Sequence, residues 1–232
     1  MKKRWIRWAT LLMLLFCFPV SAATVAAADK PVKIAYVEWS DAIASAHLVQ
    51  AVIQEKLGRN CEIQSMKADE MWQAVADGSA DAMVAAWLPT THGHYYDQVA
   101  DNILDLGPNL QGTRIGLVVP AASEKVGSSG KDYIPVDAIS DLKGKAKLFN
   151  GRIVGIDPEA GIMKRTKEVL EAYGLENYEL TLGSEHTMAA ELSNAIRRET
   201  PVVVTGWRPH WMFALWKLRF LDDPKNIYGD EE

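Results

Sequence analysis

Three tryptophans stand where the chain leaves short apolar runs: Trp39 in Glu38-Trp39-Ser40-Asp41, Trp87 in Ala86-Trp87-Leu88-Pro89 and Trp207 in Gly206-Trp207-Arg208-Pro209. The last two share the pattern W-x-P. For any one of them, plugging the end of a lobe is the simpler role. Three at equivalent positions point instead to a shared site. Indole offers the best ring face for a cation, worth about 0.5–1 kcal/mol when exposed and about 2 kcal/mol or more when desolvated. A quaternary ammonium suits such a cage because it has no N–H to satisfy. Flat aromatic ligands and sugars also favour indole faces, but sugars want several carboxylates and amides, which are sparse at these strand ends.

The opposite charge preference resides in Ile156-Asp157-Pro158-Glu159-Ala160-Gly161-Ile162, which leads from a strand into a helix. Backbone N–H groups at a helix start attract anions. Gly161 and Ile162 are therefore candidate donors to a carboxylate, with a plain strand-to-helix turn as the bland reading. Asp157 and Glu159 argue against a strongly anionic ligand such as phosphate. His92, five residues after Trp87, could donate to the same carboxylate in either ionisation state. His92 and His94 form an H-x-H pair, but no further ligand is near in sequence, so no metal is expected. Asp41 has two readings: helix cap, or acceptor for a ligand hydroxyl. His210 reads as a packing or rim residue, and Trp72, Trp211 and Trp216 read as core. Gly183-Ser184-Glu185 is not the G-x-S-x-G elbow of a hydrolase, so an exported esterase acting on quaternary-amine esters is a poor rival. A sensor domain built on the same scaffold remains compatible with the sequence.

These side chains need elements to hold them, and the chain alternates strand and helix. Lys33–Val37, Cys61–Met66 and Ala82–Ala86 read as strands, the last a continuous apolar run suited to a buried parallel strand. A helix between the first two carries Ala42, Ala46, Val49, Ile53 and Leu57 on one face, capped by Ser40 or Asp41 and stopped by Gly58. Asp69 is expected to cap a short helix with Met71, Trp72 and Val75. Arg114–Val119 is a strand, followed by a Gly, Ser and Lys-rich loop at 123–132. The pattern then restarts: Ser140 caps a short turn, and Ile153–Ile156, Tyr178–Leu182 and Val202–Thr205 are strands. One intervening helix is lined by Ile162, Thr166, Val169, Leu170 and Tyr173; Ser184 opens the other. Two β-α-β-α-β runs imply two α/β lobes with mostly parallel sheets. Ligands of open α/β sheets bind beyond the carboxyl ends of the strands, so a cleft between the lobes would gather the three indoles. The expected division is 1–28 as an export signal, 29–112 as the first lobe joined by 210–232, and 113–209 as the second lobe.

Composition limits the partners. The 232 residues carry a net charge of −5, but Lys2, Lys3, Arg4 and Arg7 sit in an acid-free first segment. The remainder holds 21 basic and 30 acidic residues, a net of −9. A body this acidic is a poor partner for nucleic acid. The basic start, the apolar stretch Ala9–Val20 and the small residues up to Ala28 form the three-part layout of a secretory signal, with cleavage after Ala22 or Ala28. A lipid anchor on Cys17 is disfavoured because bulky Phe16 precedes it. With Cys17 removed, Cys61 is alone, so no internal disulfide forms and a buried, structural thiol is expected. The mature chain is placed in the periplasm or at the outer face of the cytoplasmic membrane.

From Val32 to Asp230 the chain resembles the glycine betaine-binding proteins of ABC importers. The resemblance is carried by Val37-Glu38-Trp39-Ser40-Asp41, Ala86-Trp87-Leu88-Pro89-Thr90-Thr91-His92, Gly155-Ile156-Asp157-Pro158-Glu159-Ala160-Gly161-Ile162-Met163 and Val203-Val204-Thr205-Gly206-Trp207-Arg208-Pro209-His210-Trp211. It implies the two-lobed periplasmic-binding-protein clamp of the second type. It also implies a prism of Trp39, Trp87 and Trp207 around a trimethylammonium group. Carboxylate contacts would come from the Gly161 and Ile162 N–H groups and from His92. The implied partners are a quaternary amine, glycine betaine above choline or carnitine, and a permease with its ATPase. A monomer without cofactor or catalytic activity is expected. Trp39-Ser40-Asp41 also resembles related choline binders, in which an acid near that point takes the choline hydroxyl. Family members usually continue past the segment matching Ile227–Asp230 with a helical tail on the first lobe, so this chain is expected to be a shortened version.

Overall fold

The strand β1 (Val32–Tyr36) turns Ile34 and Ala35 to opposite faces, and each face finds its own cover. Ile34 packs with Ala46 and Cys61 beneath the first helix. Ala35 joins Met71 and Trp72 in the main core. The computed structural model describes residues 30–121 and 134–230. The expected export segment with Cys17 and the expected loop 123–132 lie outside the described residues. After β1 come α1 (Ser40–Leu57), β2 (Cys61–Ser65), α2 (Ala68–Ala76) and β3 (Ala82–Met83). The three strands are parallel in the order β2-β1-β3. Gly58 ends α1 in the left-handed region at φ 63°, where a side chain would be strained. Cys61 is buried and reduced, and burial raises its thiol pKa, as suits a structural cysteine.

The apolar run Ala82–Ala86 contributes only two paired residues. β3 lies at the sheet edge, and the chain leaves the ladder at Val84 to carry Trp87 out over the strand ends. Next come α3 (Gly93–Val99) and the passage to β4 (Arg114–Pro120). The second sheet adds β5 (Arg152–Val154), α4 (Gly161–Ala172), β6 (Glu179–Thr181), α5 (Glu185–Arg198), β7 (Val204–Arg208), α6 (Met212–Leu215) and β8 (Leu218–Phe220). Its order is β6-β5-β7-β4-β8.

The second sheet carries one reversed strand: β6, β5, β7 and β8 run the same way, and β4 lies antiparallel between β7 and β8. β4 begins where β7 ends, with Ile115 opposite Trp207. A strand that enters a sheet at the end where its neighbour finishes must run against that neighbour. Part of the segment 210–232 adds a strand to the second sheet. Once β7 has been laid down, the far edge of β4 is open, and Leu218–Phe220 completes it, with Phe220 opposite Val118. The Tyr228 hydroxyl then meets Thr166 Oγ1 on α4 at 2.8 Å.

Caps also differ in part. Neither Ser40 nor Asp41 caps α1; Trp39 holds that position without a side-chain bond. Asp69 lies inside α2, where Glu70 accepts from the Lys67 N–H at 3.3 Å. Ser140 lies within its 3-10 turn, Ile139–Leu142, not before it. Ser184 does cap α5, accepting from the Thr187 N–H at 3.3 Å.

Candidate functional site

A small cavity, with room of about 30 Å³ for the centre of a water-sized sphere, opens where the two sheets meet. Trp39, Trp87, His92, Gly161, Ile162 and Trp207 all line it. The first three belong to the β1–β3 side and the last three to the β4–β8 side. Thr91, Ile115, Ile156 and Ala160 also line the wall, and reading the sequence alone missed them. Ile115 and Ile156 were legible as strand residues, but only the register of β4 against β7 brings Ile115 beside Trp207. Asp41 does not line the cavity. Its Oδ1 accepts the Trp207 indole N–H at 2.9 Å, so it stands behind the ring. Burial raises the Asp41 pKa, and the bond from Trp207 lowers it in part.

Each indole is positioned differently. Trp39 sits at the turn from β1 into α1, 6% exposed, its Nε1 donating to Asp157 Oδ2 at 3.3 Å. Trp207 is the penultimate residue of β7, one step earlier than a strand end, and is 4% exposed. Gly206 precedes it because a Cβ there would lie 2.6 Å from Val118 Cγ2. Trp87 is half-buried. Its carbonyl accepts from the His92 N–H at 2.8 Å and from Thr91 Oγ1 at 3.0 Å. The peptide bonds before Pro89 and Pro209 are both cis.

The other end of the cavity is rich in donors. α4 starts at Gly161 with Ala160 at its cap and no capping side chain. The N–H groups of Gly161 and Ile162 find no acceptor among the described residues. Asp157 and Glu159, the two acids just upstream, are engaged elsewhere: Asp157 by Trp39, and Glu159 by Lys67 Nζ at 3.3 Å. His92 Nδ1 accepts the Trp87 N–H at 3.1 Å, which leaves Nε2 as the protonated donor of a neutral ring. The ring of Trp72 meets it edge-on at 6.0 Å.

His92 is fully buried, and desolvation drives its pKa down to about 3, with a smaller contribution from His94. The unfolded imidazole titrates near its ordinary 6.5. Between those values the unfolded chain binds a proton that the folded chain refuses. The associated stability is therefore complete above pH 6.5 and is lost as the pH falls toward about 3. Two results are expected: ligand affinity flat between about pH 5 and 8, and a melting temperature that falls on acidification below about pH 6.5. A pH series of calorimetric titrations and melts checks both, and a protein that gains stability from pH 7 to 5 would contradict a buried neutral ring.

The remaining tryptophans and His210 separate cleanly. Trp72 is core, as read. Trp216 is half-buried against that core. Trp211 is not core: it is 41% exposed, and its Nε1 donates to Glu185 Oε1 at 3.0 Å. His210 Nε2 lies 3.1 Å from the same oxygen. Glu185 Oε2 accepts the Ser40 N–H at 2.7 Å. Burial pushes the Glu185 pKa up, but the bonds from His210 and Ser40 outweigh it and leave the group below its usual range. Nothing in the sequence marked Glu185; its partners are Ser40 near the start of the chain and the adjacent pair His210 and Trp211 near its end.

Two α/β lobes that meet around one cavity, each contributing wall, define a clamp-type substrate-binding protein. The chain belongs to the family of substrate-binding domains of ABC-type glycine betaine transport systems, whose model matches residues 30–232. The glycine betaine/L-proline-binding protein ProX of Borrelia burgdorferi is 39% identical with a TM-score of 0.79, over 88% of this chain and 73% of that one. Lactococcal OpuAC, solved closed with glycine betaine, is 36% identical with a TM-score of 0.77, over 88% of this chain and 75% of that one. These place the fold among the type II periplasmic-binding-protein clamps. The glycine betaine/carnitine transport binding protein GbuC of Listeria monocytogenes is 44% identical over 105 residues, which is 44% of this chain and 34% of that protein. The chain thus spans about a third of that curated relative. Among the described residues, no helix is long and apolar enough to cross a membrane.

Proposed function

We propose that the chain binds glycine betaine, or a close quaternary ammonium relative, and passes it to an ABC permease and its ATPase on the outer face of the cell membrane. One observation carries this reading. Three indoles line one cavity from both lobes, and the same cavity meets two unsatisfied backbone N–H groups and a neutral histidine donor. That pairing suits a molecule with a methylated cation at one end and a carboxylate at the other. A micromolar affinity corresponds to about −8 kcal/mol. Desolvated cation–π contacts of about 2 kcal/mol each, together with a hydrogen-bonded carboxylate, are of the size needed after ordering costs. Ligand contacts on both lobes would stabilise the closed state.

The same observation favours betaine over choline. Choline carries a hydroxyl in place of the carboxylate. The acid that would accept it, Asp41, is occupied by Trp207 Nε1 and is absent from the cavity wall. Calorimetric titration against glycine betaine, proline betaine, carnitine and choline tests the reading. No heat from any of them would sink it. His92→Ala is expected to weaken betaine by about tenfold or more, the usual size for a hydrogen bond to a charged group, and choline by less than about threefold. Equal losses would remove His92 from the carboxylate end.

A further inference from the structure

Three consecutive residues at the start of α1 reach across to the other lobe. Trp39 Nε1 donates to Asp157, the Ser40 N–H donates to Glu185, and Asp41 accepts from Trp207 Nε1. Two of the three cavity indoles are therefore held by a carboxylate of the opposite lobe, and the exchange is reciprocal. Neither carboxylate lines the cavity. We infer that Asp41 and Asp157 are positioning residues of the cage, fixing Trp207 and Trp39 from across the cleft and making their ring faces more negative, so that the complete cage exists only when the lobes are shut. This rests on the proposed function and deepens it.

The physical grounds are specific. An indole has a single polar atom, Nε1, and tying it to a carboxylate fixes the plane of a ring that apolar packing alone would leave free to tilt. A hydrogen bond to a charged acceptor also polarises the donor, and in a low-dielectric site such polarisation is strong. Density drawn away from the N–H strengthens the ring face that attracts a cation. The carboxylates behind the rings add direct attraction for that cation. Neither acid holds a cap position: Trp39 occupies it for α1 and Ala160 for α4. The arrangement couples closure to recognition, because separating the lobes breaks the bonds that aim both indoles.

The test is a double-mutant cycle read by calorimetric titration with glycine betaine. Asp41→Ala is expected to weaken binding by about tenfold or more. Asp41→Asn retains a carbonyl oxygen for the indole and is expected to recover part of that loss. Trp207→Phe keeps a ring face but has no N–H, so adding Asp41→Ala to it should cost less than about threefold further. Full additivity in the double variant, or an asparagine variant no better than alanine, would overturn the inference. If Asp41→Ala does not fold, the reciprocal pair gives the same cycle with Asp157→Ala and Trp39→Phe. A parent chain that does not bind glycine betaine overturns the proposed function and takes this inference with it; a parent that binds with additive variants overturns the inference alone.

Discussion

Alanine at position 87 is expected to abolish measurable glycine betaine binding. Among the described residues, Trp87 is the cavity indole that no carboxylate of the opposite lobe holds, so its loss is a loss of ring face rather than of a clasp between lobes. Removing a desolvated cation–π face costs about 2 kcal/mol. The apolar cover that goes with it is worth about another 2 kcal/mol. Together they correspond to about a thousandfold, enough to move a micromolar site to the millimolar range. The fold should survive, because the ring is only half-buried and the backbone bonds of Trp87 to His92 and Thr91 do not need the side chain. The checks are a flat calorimetric trace beside a melting temperature within a few degrees of the parent. Unchanged affinity would end the case for an aromatic cage. Phenylalanine at the same position should restore part of the binding, since it restores part of the face.

Gly161→Ala is expected to be nearly as severe for a different reason. A Cβ built on Gly161 lies 2.4 Å from the Thr91 carbonyl oxygen and 2.6 Å from the Thr91 Cβ. Both are nearer than real atoms approach, and the first belongs to the backbone, which cannot swing aside like the tip of a long side chain. The start of α4 must then retreat from the turn that carries His92, and the carboxylate end of the cavity opens. Neither lobe depends on that contact for its own sheet. The expected result is binding weakened by about a hundredfold with circular dichroism unchanged, the cost of overpacking being about 1–3 kcal/mol. An alanine variant that binds within about threefold of the parent would show that the two lobes need not approach so closely.

What the sequence disclosed follows from which interactions are local. The three tryptophans could be placed at the mouth of a sheet because each follows an apolar run and precedes a turn residue. Gly161 and Ile162 could be placed at a helix start from the turn before them. The elements themselves followed from periodicity, and Ser184 announced its helix. The direction of β4 could not be read this way, because strand content is the same whichever way a strand runs. The home of Leu218–Phe220 depends on which sheet edge is left open, which no local pattern records. Asp41 looked like a cap since it opens a helix. Its actual partner, Trp207, is 166 residues away, and the Trp39–Asp157 pair spans 118 residues. Bonds of that reach exist only once both lobes have folded and met.

The contacts that join the lobes differ in how far water reaches them. Lys67 and Glu159 form an ion pair near the rim, with the lysine side chain 64% exposed. Exposed pairs of this kind contribute little, and at 1 M salt the screening length shrinks to about 3 Å. The inner contacts, Trp39 to Asp157, Ser40 to Glu185 and Trp207 to Asp41, are partly buried and are screened far less. Added counter-ions would also quiet the mutual repulsion of a chain with 30 acids and 25 bases. Concentrated electrolyte therefore strips the outermost handshake and leaves the deeper grip intact.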